Sequence, residues 1–393
     1  MKGTVVVTDG EQRAALAIVR SVGRQGHRCI VCSTDGRSLA GASRHATADH
    51  PVPDPLRDPG GFVAAVAASA GEVGARVVLP VTDAAILALL AAHDRLRPAE
   101  LPLPPLDSFR CMADKARVLA AASALGIAIP DQRSVETAAE LAAADVAFPV
   151  VVKPARSVAV HDGKRIKVAV RYAADVAELR RAVEAYPSGA YPLLLQQRIV
   201  GPGVGIFLLL WDGEIIARFA HRRIREKPPS GGVSVYRESI PADPDLVARS
   251  RALLEQGAWR GVAMVEYKLD AATGRPYLME VNGRFWGSLQ LAIDAGVDFP
   301  ALLVDLALGG RPDPVTSYRV GVRSRWWWGD VDQLLARLRR SDADLALPPD
   351  APSRLGAVLD FLRLWRPGDR NEILRLGDPE PFLRESLLWL RGR

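Results

Sequence analysis

The chain has 393 residues, room for two or three domains at roughly 150 residues each. Hydrophobic residues make up 49% and charged residues 24%, an ordinary globular balance that argues against extended disorder. The net charge is +6 with only three cysteines, which argues against a disulfide framework, and no basic stripe with interleaved aromatics marks a nucleic-acid surface.

The chain opens with a β-branched run, Thr4–Val7, and reaches Asp9 at once, leaving no room for a signal-peptide core. No apolar run approaches the roughly 18 residues of a membrane span, so a soluble, cytoplasmic protein is expected. Glu11–Gln25 has helical spacing, with Gly26 as its stop. Arg28–Cys32 is an apolar strand that absorbs the Cys29/Cys32 pair, and no second pair completes a zinc site. Phe62–Ala70 reads as helix, Arg76–Pro80 as strand and Asp83–His93 as helix. That alternation predicts an open α/β unit with a parallel sheet. It has no GxGxxG after its first strand, so no dinucleotide fingerprint is supported.

The proline-rich Leu101–Leu106 reads as a linker, and Phe109–Leu125 as one helix. Phe148–Pro154 is an apolar strand carrying Lys153; Asp162-Gly163-Lys164 is a basic turn before a strand over Ile166–Val170. Ala174–Ala185 is helical, Leu193–Gln197 a strand, and Gly201–Gly205 a glycine-rich turn. Ile206–Trp211 and Glu214–Ala220 form a hairpin about Asp212-Gly213. Leu246–Gln256 is a helix, and Ala263–Leu269 with Pro276–Val281 forms a second hairpin. From about Tyr318 the texture changes to helical stretches with proline breaks, and the Trp326–Trp328 triplet reads as the core of a small appended region, with a partner or membrane surface as the alternative.

The second hairpin carries the chemistry. Glu266 and Glu280 are equidistant from Thr273 in the turn, so pairing about that turn makes them cross-strand neighbours roughly 5 Å apart. Asn282 returns to the same face. Two adjacent carboxylates in an apolar context call for a positive group between them, and a hard cation with oxygen ligands supplies one. The alternative is a solvated, exposed strand face. Upstream, Lys153 is delivered to a sheet edge and Lys115 to the first turn of a helix, where an anion would offset its clash with the helix dipole. The run His221, Arg222, Arg223, Arg225, Lys227 before Pro-Pro-Ser-Gly-Gly suits a carboxylate substrate; its alternative is a charged, guarded strand edge.

Met112-Ala-Asp-Lys115, Phe148–Pro154, Leu195–Val200, Met264–Lys268 and Leu278–Ser288 stand in an order and spacing that resembles the ATP-grasp superfamily of carboxylate–amine or thiol ligases. The resemblance covers roughly residues 109–310 and, by topology, the preceding unit. It implies an α/β fold: an N-terminal open α/β (pre-ATP-grasp) domain over 1–108, a two-subdomain α+β ATP-grasp domain over 109–312, and a small, mostly helical C-terminal region over 313–393. It implies that Glu266, Glu280 and Asn282 hold Mg²⁺, with two ions expected and Mn²⁺ an acceptable substitute, against the phosphates of ATP. Lys115 and Lys153 would contact phosphates and base. Gln196, Gln197, Arg198, Ile199 and Val200 would meet adenine, and Arg284, with Arg223 and Lys153, would serve the transfer. The expected activity is ligation: a carboxylate is activated as an acyl-phosphate and joined to an amine, releasing ADP and phosphate. Both partners would be small molecules, with no nucleic acid and no membrane span, and a homodimer is compatible. A small-molecule kinase and a non-catalytic ATP-binding regulator are the alternatives. The sequence departs from the family pattern at Gln196-Gln197, where many members are acidic, and in the 162–165 loop, which is not glycine-rich.

Overall fold

The computed structural model describes residues 2–143, 146–161, 164–347, 351–363, 366 and 368–392. The chain begins as expected: β1 (Thr4–Val7), α1 (Arg13–Arg24), β2 (Arg28–Ser33), β3 (Ala46–Pro51), α2 (Pro59–Glu72), β4 (Ala75–Leu79) and α3 (Asp83–Leu90). The four strands form a parallel sheet in the order β3-β2-β1-β4. β3 went unread because Ala46–Pro51 (ATADHP) is polar and only partly buried; as an edge strand it needs no apolar run.

The expected single helix after the proline-rich linker is two, α4 (Leu106–Ala113) and α5 (Lys115–Ala124). Asp114 breaks it. Its backbone is extended, and its carboxylate accepts from the amides of Ala116 and Arg117 as the cap of α5. Lys115 therefore stands at the first position of a helix.

Next come β5 (Gln132–Val135), β6 (Val150–Pro154), β7 (Val158–His161), β8 (Lys164–Lys167), β9 (Arg171–Ala173), α6 (Val176–Glu184) and β10 (Leu193–Gln197). β5-β10-β6-β9 is an antiparallel sheet, and β7 and β8 form a separate ribbon. β8 is displaced from the expected Ile166–Val170. The turn expected at Asp162-Gly163-Lys164 lies outside the described residues at positions 162 and 163, so no lid over the phosphates is read from it.

The largest sheet is built from β11 (Gly203–Trp211), β12 (Glu214–Lys227), β13 (Val233–Ser239), α7 (Pro244–Gln256), β14 (Gly261–Leu269), β15 (Pro276–Asn282), α8 (Leu289–Ala295) and α9 (Phe299–Ala307). The first hairpin turns at Asp212-Gly213, both at positive φ. All nine residues of β11 are buried, and their alternation splits the core. Phe207 and Leu209 face Trp286, Phe299 and the packed α1, while Ile206, Leu208 and Leu210 face Phe109 of α4 and Leu253 of α7.

The C-terminal region contributes β16 (Arg323–Arg325), α10 (Trp327–Arg339), α11 (Arg354–Leu362), β17 (Asp369–Asn371) and α12 (Glu380–Leu390). It is not a detached appendix. β16 and β17 extend the large sheet beyond β13, in the order β15-β14-β11-β12-β13-β16-β17. The chain end is tied to the N-terminal unit by Arg20 Nε donating to Asp378 at 2.7 Å, with both side chains buried. No helix among the described residues is long and apolar enough to cross a membrane.

Candidate active site

A cleft of about 840 Å³ lies on the β14–β15 face of the large sheet. Lys153, Arg223, Glu266, Glu280, Asn282 and Arg284 all line it.

The hairpin places the two carboxylates as the sequence suggested, by a route the sequence concealed. Val265 pairs with Val281, Glu266 with Glu280, and then Tyr267 with Leu278. Met279 is thus an extra residue, a bulge between Glu280 and the turn. With uninterrupted pairing outward from the turn, Glu266 would face Met279. The bulge turns Met279 and Glu280 both toward the cleft, while Leu278 and Val281 enter the opposite core. The turn itself is set by Asp270, whose carboxylate accepts from the amides of Ala272 and Thr273.

The electrostatics divide the pair. For Glu280, burial raises the pKa, but Lys115, the Asn282 amide and Lys153 outweigh it and hold the carboxyl well below the usual range. Lys115 Nζ lies 3.3 Å from Glu280, and Asn282 Nδ2 donates to it at 3.0 Å. Glu266 is pushed upward, first by burial and then by Glu280, against the opposing pull of Arg223. Arg223 hydrogen-bonds Glu266 and donates to Glu226 at 2.8 Å and the Gly232 carbonyl at 3.1 Å. Lys153 lies beside Met279 Sδ at 3.8 Å; burial lowers it to about 8, partly offset by Glu280 and Glu266.

Arg284 does not simply continue the strand. β15 ends at Asn282, and Gly283 packs so tightly that an added Cβ would lie 2.2 Å from the Trp259 ring. Arg284 Nε then donates to both carboxylate oxygens of Asp83 at 3.2 Å, and Nη2 donates to Asn282 Oδ1 at 3.2 Å. Sequence reasoning missed Asp83. The available signal was its place at the first turn of α3, following β4, since ligands meet open parallel sheets at the carboxyl ends of their strands.

The segment 196–200 is not brought into the cleft lining. Gln196 is buried and donates to Gln132 Oε1 at 3.0 Å. Gln197 is exposed; Ile199 is buried, and Val200 accepts from the Ala271 amide. Arg198 reaches the Ala346 carbonyl and stacks over Tyr172 at 5.3 Å, and Tyr172 does line the cleft. The basic run on β12 is likewise divided. Arg223 faces the carboxylates, whereas Arg222 pairs with Glu238, Arg225 with Asp330 and Asp360, and Lys227 with Asp332. His221 is buried, and burial pushes its pKa well down.

The tryptophan triplet is only partly core. Trp326 packs against the large core yet also lines the cleft, together with Trp328 and Trp389 of α12, while Trp327 packs on Phe361 outside the cleft lining.

The donor set suits Mg²⁺. Among the described residues no group of three or more His, Cys, Asp or Glu could hold a metal by itself. Two adjacent carboxylates and an amide oxygen, however, are what Mg²⁺ uses when phosphates and water complete its shell.

Residues 190–327 match the model of a family described as ATP-grasp in the biosynthetic pathway with Ter operon. No curated protein matches the chain. Among solved structures, the L-amino acid ligase from Bacillus licheniformis is similar over 78% of this chain and 74% of its own, at 19% identity and a TM-score of 0.62. The biotin carboxylase–βγ-ATP complex from Campylobacter jejuni matches 82% of this chain and 74% of its own, at 14% identity and a TM-score of 0.65. The biotin carboxylase domain dimer of 2-oxoglutarate carboxylase from Hydrogenobacter thermophilus, in complex with MgADP, ADP and bicarbonate, matches 82% and 73%, at 17% identity and a TM-score of 0.61. The match to the ATP-grasp family model is carried by residues 190–327, and the likeness to these solved structures is one of fold.

Proposed function

We propose that the protein is an ATP-dependent ligase that activates a carboxylate as an acyl-phosphate and joins it to an amine. The observation that carries the reading is the Glu266–Glu280 register with Asn282, Lys153 and Arg284 in one cleft, with Lys115 behind Glu280 at 3.3 Å. On this reading residues 1–108, 109–312 and 313–393 act as the N-terminal, nucleotide-binding and accessory parts. Glu266, Glu280 and Asn282 would hold Mg²⁺, which when bound neutralises phosphate charge. Lys115 and Lys153 hold phosphate oxygens, and the base lies toward Tyr172, which lines the cleft and carries Arg198 over its ring. Arg223 orients Glu266.

Phosphoryl transfer asks the protein mainly for positioning and charge. A carboxylate oxygen of the substrate attacks the γ-phosphorus, and ADP leaves with the bridging electron pair. Arg284, held in a fixed plane by Asp83 and Asn282, presents a planar fork to the oxygens of the acyl-phosphate. The amine nitrogen then attacks the acyl carbon and phosphate departs.

The test is a screen of carboxylates with MgATP and hydroxylamine. Hydroxamate together with ADP supports the ligase. ADP with a stable phosphorylated product would instead make the protein a kinase, and the absence of ADP with every carboxylate and amine pair would make it a non-catalytic binder.

A further inference from the structure

One wall of the cleft comes from the C-terminal region, and nothing in the nucleotide chemistry requires it. Trp328 and Trp389 stack with ring centroids 4.1 Å apart and planes at 23°. Their indole nitrogens are committed, Trp328 to Ser386 Oγ and Trp389 to Asp332 Oδ1, both at 2.8 Å. Trp326 donates to Glu385 Oε1 at 2.7 Å. With their N–H groups tied back, the three side chains are fixed, and all three line the cleft along with Glu385 and Asp332.

The charge at this end is unbalanced. Asp332 is matched by Lys227. Arg13, which lies over Trp326 at 3.9 Å, is committed to Glu372 at 2.5 Å. Glu385 has no ion-pair partner among the described residues, and its Oε2 is buried there without a hydrogen-bond donor. Glu11, on the facing rim, also has no ion-pair partner among the described residues and accepts only from the Thr34 amide. Indole faces attract cations, and a buried acceptor without a donor is complemented by an N–H group.

We infer that the wall made by Trp326, Trp328, Trp389 and Glu385 is the subsite for the amine substrate, and that it selects an amine carrying an apolar, ring-bearing body. This rests on the ligase reading. The ammonium meets Glu385 and the ring lies against the tryptophans. Before attack the ammonium gives one proton to Glu385, whose carboxyl burial holds at about 7. The nitrogen then bonds to the acyl carbon, the bond from that carbon to the phosphate oxygen breaks, and the leaving phosphate takes the electron pair and the second proton. The carboxylate activated in the first step meets Arg284 in the same cleft.

The experiment is calorimetric titration of the full-length protein with 2-phenylethylamine, with 2-phenylethanol and 3-phenylpropanoate as neutral and anionic counterparts. The amine is expected to bind at least ~10-fold tighter than either. Glu385→Gln keeps an acceptor for the Trp326 N–H and should weaken the amine at least ~10-fold while leaving 2-phenylethanol unchanged, a split that general loosening of α12 would not produce. Trp328→Ala should weaken the amine similarly, and Trp328→Phe should restore most of the loss. MgATP affinity measured on each variant verifies that the cleft is intact. Undetectable amine binding at millimolar concentration, tighter binding of 3-phenylpropanoate, or unchanged amine affinity in Glu385→Gln would overturn the inference. Hydroxylamine trapping separates it from the ligase reading: trapping bypasses the amine subsite, so hydroxamate formed with unchanged yield by Glu385→Gln leaves the ligase standing whatever the amine titration shows.

Discussion

Replacing Lys153 by Met should stabilise the ligand-free protein while weakening its grip on ATP. Burial lowers Lys153 from 10.5 to about 8, despite the nearby Glu280 and Glu266. The folded state therefore gives up this proton before the unfolded chain does. Between pH 8 and 10.5 the unfolded chain binds more protons, so stability rises with pH across that window and the full cost is borne below pH 8. At about 1.4 kcal/mol for each pH unit separating the two values, the cost approaches ~3 kcal/mol; residual solvent contact of the side chain reduces it to about 1–3 kcal/mol. Lys153→Met removes the cost, and Lys115 still compensates Glu280 at 3.3 Å. Thermal unfolding at pH 7 without nucleotide should show the variant melting a few degrees higher, with the difference shrinking as pH rises from 8 toward 10.5. MgATP should raise the melting temperature of the wild type by more than that of the variant. A variant that melts lower at pH 7, or a difference that does not shrink with pH, would refute the argument that this ammonium is held at a loss for use by an anion.

Three other substitutions follow from the geometry. Glu280→Gln removes one charge from the carboxylate pair at nearly constant volume and should abolish ADP formation while circular dichroism stays unchanged; near wild-type turnover would remove Glu280 from the metal set. Arg284→Lys keeps the charge but cannot span Asp83 and Asn282 as the guanidinium does, and steady-state kinetics should show kcat falling at least ~10²-fold with a much smaller change in KM for ATP; an effect on KM alone would make Arg284 a ground-state contact. Asp378→Ala leaves the buried Arg20 charge without its partner, which should cost about 3–5 kcal/mol, read in denaturant unfolding; a loss under 1 kcal/mol would show that the chain end is not anchored through this pair.

The parallel unit and the two hairpins were legible because each is local: β1, β2 and β4 are apolar runs, and Asp212-Gly213 announces its own turn. The Glu266–Glu280 contact was legible for a less secure reason. Symmetry about Thr273 gave the right pair, but the structure reaches it only through the bulge at Met279. A bulge has no periodic signature, because one inserted residue simply exchanges the faces beyond it. Asp83 was illegible as a partner of Arg284 because the two lie 201 positions apart, and nothing in either local sequence refers to the other. The Gln196 side chain donates to Gln132, a partner that only the sheet order reveals, while the adenine contact came from the resemblance alone.

The basic strand shows how one sequence feature can serve two ends. Read as a run, Arg222, Arg223, Arg225 and Lys227 look like a single patch awaiting an anion. In the sheet, alternation and a register shift between Arg223 and Arg225 distribute them. Arg223 points to the carboxylate pair. Arg225 and Lys227 reach α10 and α11 through Asp330, Asp360 and Asp332. The desolvated Arg225–Asp330 pair contributes little net stability but imposes a strong penalty when misaligned, so it fixes where α10 sits more than how tightly it sits. That fixes Trp326 and Trp328, and through the stacked Trp389 it fixes α12. The same strand therefore meets the Glu266–Glu280 pair with one arginine and anchors the aromatic wall with its next two cations. The distance from the carboxylate pair to the aromatic wall is therefore spanned by β12 itself, from Arg223 to Lys227.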